Sequence, residues 1–204
     1  MVDSAQAIRD ERLLQQIAAG DTCAMTELLT EYRVALRRMI ELRLDEHIQS
    51  RVDASDVIQE TQIEVARRID DFLTRRPMPV GLWLRKTAYQ CLLKQRRHHV
   101  ADMRSVKNEE RLPDRSSILL ARHFLNRATP SQAMMKAELI ERVQAAINEL
   151  PNIDRELILM RNYEELTNTE AAALVDLSPE AAGKRYTRAL MKLRGIIKAA
   201  ESER

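Results

Sequence analysis

Apolar residues recur at three- and four-residue steps along most of the chain, and this spacing predicts helices throughout. The clearest stripe runs from about Ala54 to Leu73, where Val57, Ile58, Thr61, Val65, Ile69 and Phe72 share one face. Before it, a helix from about Cys23 to Leu44 aligns Leu28, Tyr32, Leu36, Met39 and Ile40, and a shorter one covers about Ala5 to Ala19. The turn Thr74-Arg75-Arg76-Pro77-Met78-Pro79-Val80-Gly81 breaks the third helix, and a fourth follows from about Leu82 to His99.

From about Asp102 to Pro130 the pattern fades. Asn108 to Ser117 is polar and interrupted by Pro113, as linkers are, with a short helix predicted from Ile118 to Leu125. Regular structure reopens at Thr129-Pro130-Ser131, and helices are expected near Gln132–Leu150, Ile153–Asn162, Asn168–Val175 and Pro179–Ala200. The fold class is therefore all-α, with two small helical domains joined by a flexible linker: an N-terminal bundle over residues 5–101, a linker over 102–131 and a C-terminal domain over 132–200.

The last fifty residues contain a helix-turn-helix. Thr167 followed by Glu170 reads as a capping box, and Ser178-Pro179 as an N-cap with proline in the first helical position. Between them lie a short helix and a tight turn at Asp176-Leu177. In the second helix Ala182, Tyr186, Ala189, Leu190, Leu193 and Ile197 form an apolar stripe, with Ala181, Lys184, Arg185, Arg188 and Lys192 set against it. Small Ala181 would admit a close approach to the DNA major groove, and the cations would reach base edges or phosphates. A solvated charged face is the alternative origin of such a stripe. The capped turn and the scarcity of acids, with only Glu180 between Pro179 and Ala200, favour duplex DNA. Gly183 costs this helix roughly 1 kcal/mol relative to alanine.

Charge is segregated elsewhere as well, although the net charge is only +2. The third helix and its N-cap carry Asp53, Asp56, Glu60, Glu64, Asp70 and Asp71 against Arg67 and Arg68. The fourth, from Gly81 to Val100, carries Arg85, Lys86, Lys94, Arg96 and Arg97 and no acid. Adjacent helices of opposite charge can simply attract each other. Yet Trp83 and Tyr89 lie among these cations, beside a loop with Arg75, Arg76 and Met78, and cations with aromatics suit tracking and stacking on a single strand. A lone tryptophan suits a core position equally well.

The composition excludes other classes. Two cysteines, Cys23 and Cys91, form no disulfide framework and no metal-spaced cluster, which points to a reducing cytosol. There is no run of about 18 apolar residues to span a membrane. Four glycines leave no phosphate-cradling loop, and four histidines, two of them the pair His98-His99, sit apart from any nucleophile pattern. No catalytic residue, metal or cofactor is expected.

Four segments together resemble a family. Asp53-Ala54-Ser55-Asp56-Val57-Ile58-Gln59-Glu60-Thr61 is similar to the Asp-x-x-Asp-x-x-Gln-Glu segment of bacterial RNA polymerase sigma factors. Trp83-Leu84-Arg85 followed by Ala88 resembles the family's next block. Leu150-Pro151, Asp154-Arg155-Glu156 and Leu159-Met160-Arg161 resemble the opening of its C-terminal domain, and Ser178 through Arg194 its recognition helix. Two domains and little else resemble the compact extracytoplasmic-function class, over roughly Leu13 to Lys198. Gly183 stands where many members carry lysine, and Ala182 where they carry valine.

The resemblance implies a non-enzymatic subunit that binds core RNA polymerase in the cytoplasm and directs promoter-specific initiation. Asp53, Asp56, Gln59 and Glu60 would dock on the clamp helices of the largest subunit. Arg75, Arg76, Met78, Trp83, Arg85, Lys86, Tyr89, Lys94 and Arg97 would melt and read the minus-ten element. Thr169, Ala181, Lys184, Arg185, Arg188 and Lys192 would read the minus-thirty-five element. The flap of the second-largest subunit and an anti-sigma factor are further implied partners. The alternative is a stand-alone two-domain helix-turn-helix regulator. It would need a ligand pocket or dimer seam, and the N-terminal half shows neither signature.

Overall fold

The structure, a computed structural model, describes residues 4–44, 53–103, 117, 119–121 and 133–202. Eight helices have described bounds: α1 Ser4–Ala18, α2 Thr22–Glu41, α3 Ala54–Arg75, α4 Val80–Met103, α5 Ala133–Asn148, α6 Asn152–Asn162, α7 Asn168–Leu174 and α8 Pro179–Ser202. No strand occurs among the described residues. The chain forms two units, one of Met1–Glu41 with Arg51–Lys107, the other of Leu42–Ser50 with Asn108–Arg204.

In the first unit α3 packs on α4 and α2, and α2 packs on α1. The apolar stripe of α3 is buried as its periodicity requires, at Val57, Ile58, Thr61, Val65, Ile69 and Phe72. Asp53 caps this helix by accepting from Ser55 N, an interaction worth about 1 kcal/mol. At the other end Pro77 disfavours right-handed helix at Arg76, which turns into the left-handed region at φ 40° and returns its N–H to Phe72 O. The helix thus reaches Arg75, two residues beyond the expected end. Pro79 then accepts from Leu82 N and Trp83 N, so α4 begins at Val80.

A polar network sits inside this unit. Tyr32 Oη donates to Asp10 Oδ2 at 2.7 Å, and Gln6 Nε2 donates to Asp10 Oδ1 at 2.9 Å. Gly81 makes room for the tyrosine: a Cβ there would lie 2.7 Å from Tyr32 Cε1. Burial and the neighbouring Asp10 carboxylate push the Tyr32 phenol well above its usual range.

In the second unit α8 packs against α5, α6 and α7. Its core joins Val143, Ala146, Ile147, Leu150, Ile158, Leu159, Ala189 and Leu193. Leu120 and Ala121 complete it, and residues 117 and 119–121 are helical, so part of the stretch read as linker is core of this unit. The other residues of the expected Ile118–Leu125 helix, like 104–116, lie outside the described residues.

Leu42, Arg43 and Leu44 also belong here, although the apolar spacing extends α2 through Leu44. Arg43 is fully buried, donating from Nε to Glu156 Oε2 at 2.8 Å and from Nη2 to Glu164 Oε1. Burial disfavours its charge, but Glu156 and Glu164 outweigh this and hold the proton more tightly than water does.

Candidate polymerase and nucleic-acid interfaces

The acidic end of α3 is exposed where it was expected to be. Asp53, Asp56 and Gln59 face solvent, one turn apart from one another on one side of the helix. Glu60 is half-buried and accepts from Lys94 Nζ of α4 at 3.0 Å. This hydrogen bond raises the Lys94 pKa. Two residues assigned to different partners are therefore paired with each other. Ile63, 48% exposed, continues the same face four residues after Gln59. An exposed apolar residue on an otherwise acidic face is a feature that helical periodicity alone could have found.

The loop and helix expected to meet a melted strand divide into exposed or half-buried cations and buried aromatics. Arg75 pairs with Asp71 at 2.8 Å, and Arg76 pairs with Glu11 of α1, whose carboxyl it holds below the usual range. Met78, Arg85 and Lys86 are half-buried, and Arg97 is exposed with Nε on Leu93 O. Trp83 and Tyr89 are buried. The Trp83 ring stacks on Phe72 with centroids 4.4 Å apart and planes 21° apart, an arrangement worth about 0.5–1.5 kcal/mol beyond burial. Base stacking by either ring is corrected accordingly: both are core residues. Val80, Leu82, Leu84, Ala88, Cys91 and Leu92 of α4 are buried with them. A helix packed on several sides has no clean apolar stripe, so its spacing left both a core and a surface place open for Trp83.

The helix-turn-helix forms as its capping residues dictate. Thr167 Oγ1 accepts from Glu170 N, and the Glu170 carboxylate accepts from Thr167 N at 2.8 Å, completing the capping box of α7. After Val175 the chain turns through Asp176 at φ 54°, with Leu177 N on Ala172 O. Ser178 Oγ then caps α8 by accepting from Ala181 N. Asn168 of α7 donates from Nδ2 to Pro179 O at 2.6 Å, and its carboxamide lies beside Gly183.

The expected DNA-facing stripe is only partly outward. Ala182, Ala189 and Leu193 are buried, and the Ile197 side chain lies outside the described residues. Opposite that buried line lies a shallow open groove lined by Pro179, Glu180, Gly183, Lys184, Thr187, Arg188 and Met191. This outward face is about a fifth of a turn away from the stripe read in the sequence. Lys184 pairs with Glu180 within the helix, whereas Arg188 is exposed and makes no ion pair among the described residues. Arg185 instead turns to α6 and donates to Asp154 Oδ1 at 2.9 Å. Lys192 pairs with Glu149 at 3.3 Å, Ala181 is half-buried and Thr169 is exposed. Thr187 and Met191, the latter 68% exposed, belong to the outward face and were missed because no charge marks them.

Among the described residues no cluster of His, Cys, Asp or Glu could hold a metal ion. Among them, too, no helix is long and apolar enough to cross a membrane.

Residues 140–193 match the family described as sigma-70, region 4, which covers α6, α7 and most of α8. Over 173 residues the chain is 26% identical to the ECF RNA polymerase sigma-E factor of Haemophilus influenzae, covering 84% of this chain and 86% of that one. Among solved structures, CnrH in complex with the cytosolic domain of CnrY superposes with a TM-score of 0.56 at 22% identity, covering 94% of this chain and 98% of that one. The sigma factor RpoE in complex with the anti-sigma factor NepR, from Bartonella quintana, gives 0.51 at 19% identity, covering 85% and 96%. The likenesses to solved structures establish the shared helical fold. Residues 140–193 thus carry a sigma-70 region 4 domain, and together with relatives matched over most of the chain the comparisons support an extracytoplasmic-function sigma factor, a non-enzymatic subunit for promoter-specific transcription initiation by RNA polymerase.

Proposed function

We propose that the two units divide this task between polymerase docking with minus-ten opening in the first and minus-thirty-five recognition in the second. Asp53, Asp56 and Gln59 supply the docking surface on the polymerase clamp, with Ile63 adding apolar contact. Carboxylates repel phosphates, so this face suits a protein and not DNA. Arg75, Arg76, Met78, Arg85, Lys86, Lys94 and Arg97 supply the cationic track for the melted strand. The α7–α8 helix-turn-helix enters the major groove of the upstream element, with Thr169 of α7 at its edge and the flap of the second-largest subunit as the protein contact of this unit. The observation that carries the reading is the doubly capped turn with an open, partly cationic face on α8.

Two finer points follow from the relatives. CnrH is solved in complex with the cytosolic domain of CnrY and RpoE with the anti-sigma factor NepR, and an anti-sigma factor is the expected partner here. The site of action is the cytoplasm, where the polymerase works. The docking assignment is tested by Asp56→Arg. This variant should lose core polymerase in a pull-down while circular dichroism reports full helicity, because Asp56 is exposed and supports no core contact. Undiminished binding would refute the assignment.

A further inference from the structure

We propose that Arg185 is a positioning residue, clamped to α6 through Asp154, and that base reading falls to the α8 face holding Lys184, Thr187 and Arg188. This deepens the helix-turn-helix reading of the upstream element and rests on it. Asp154 is buried in the first turn of α6, and Arg185 is the side chain that pairs with it among the described residues. One residue on, the Tyr186 hydroxyl shares hydrogen bonds with the Asn162 carboxamide, and the Arg161 guanidinium lies 4.1 Å from the ring centroid. Arg185 and Tyr186 thus tie α8 to both ends of α6, which fixes its rotation about its own axis.

That rotation decides what meets the groove. With Ala182, Ala189 and Leu193 inward, Lys184, Thr187 and Arg188 point outward together. Were Arg185 to reach a guanine, it would leave the buried Asp154 carboxylate without the cation that now faces it, a cost that offsets what the base contact returns. Arg188 carries no such obligation. Thr187 offers a hydroxyl for a base edge and a methyl for a thymine methyl.

The test uses full-length chain in reconstituted holoenzyme, on promoters selected from a randomised library and then varied one upstream base at a time. Arg185→Ala and Asp154→Ala should weaken transcription from every upstream sequence by a common factor, and the double variant should be no worse than the worse single. Arg185→Lys, which keeps a cation for Asp154 but cannot fork onto a guanine, should restore most of the activity with base preference unchanged. Arg188→Ala or Thr187→Val should instead change preference at individual positions, by about 5- to 150-fold where a bidentate contact is lost. Circular dichroism checks that each variant folds. Relaxed preference at one position in both Arg185→Ala and Arg185→Lys, with Asp154→Ala leaving the preference profile intact, would make Arg185 a reader and overturn the proposal. If neither Arg185, Thr187 nor Arg188 variants alter any upstream preference, the helix-turn-helix reading itself falls, and this proposal with it.

Discussion

Arg43→Ala should destabilise the second unit severely while leaving the first intact. The guanidinium is fully buried and serves two carboxylates, Glu156 and Glu164, whose side chains are only 11% and 5% exposed. Truncation leaves two poorly solvated charges without their cation. Breaking a buried ion pair from one side costs about 3–5 kcal/mol. For a domain of about 100 residues each kcal/mol moves the midpoint by about 4–8 °C. A fall of more than about 10 °C is therefore expected. The chain's one tryptophan, Trp83, lies in the first unit, so its fluorescence reports that unit while far-UV circular dichroism reports both. The dichroism should acquire an early transition that the fluorescence does not follow. Replacing the acids as well, in Arg43→Ala/Glu156→Gln/Glu164→Gln, should recover much of the loss, because neutral amides tolerate burial better than stranded carboxylates. A change under about 1 kcal/mol in the single variant would show that Arg43 is not buried in this triad. An early fluorescence transition would show that it serves the first unit.

Other consequences are as direct. Gly81→Ala should destabilise the first unit by about 1–3 kcal/mol in urea melts, since its Cβ displaces the Tyr32 ring and leaves buried Asp10 with Gln6 alone; an unchanged midpoint would contradict that packing. Because the Tyr32 phenol is raised in the folded state, its share of stability is complete below the unfolded value of about 10 and is lost as pH rises above it. Stability measured from pH 9 to 11 should therefore fall more steeply for the native chain than for Tyr32→Phe, and parallel slopes would refute the shift. Gly183→Ala should stabilise the second unit by up to about 1 kcal/mol, since the new Cβ meets Asn168 at an ordinary 3.6 Å within a helix that gains propensity; a lower melting temperature would contradict that packing.

Helical periodicity carried most of the fold. The α3 stripe is buried at every position its spacing required, the described stripe residues of α2 and α8 are buried or half-buried, and the Thr167–Glu170 and Ser178–Pro179 signals set the helix-turn-helix ends because capping is a local interaction. What escaped was decided by distant partners. Trp83 was ambiguous because α4 is buried on several sides and shows no stripe, and its stacking on Phe72 comes from another helix. Arg185 belongs to a cationic run that spacing alone assigns to DNA, whereas Asp154, 31 residues earlier, claims it. Arg43 resembles every other cation in the chain until Glu156 and Glu164 fold around it. Gly81 looks like a turn residue, yet its lack of a side chain serves Tyr32 of α2.

Promoter-directed initiation is tested most directly by adding the purified chain to core RNA polymerase and transcribing a library of randomised promoters, then sequencing the 5′ ends of the products. The expected result is a set of discrete start sites that core polymerase alone does not use, sharing one upstream and one downstream element at a fixed spacing. Start sites indistinguishable from those of core polymerase, or tight binding of the chain to a promoter duplex without polymerase in place of directed initiation, would contradict the account.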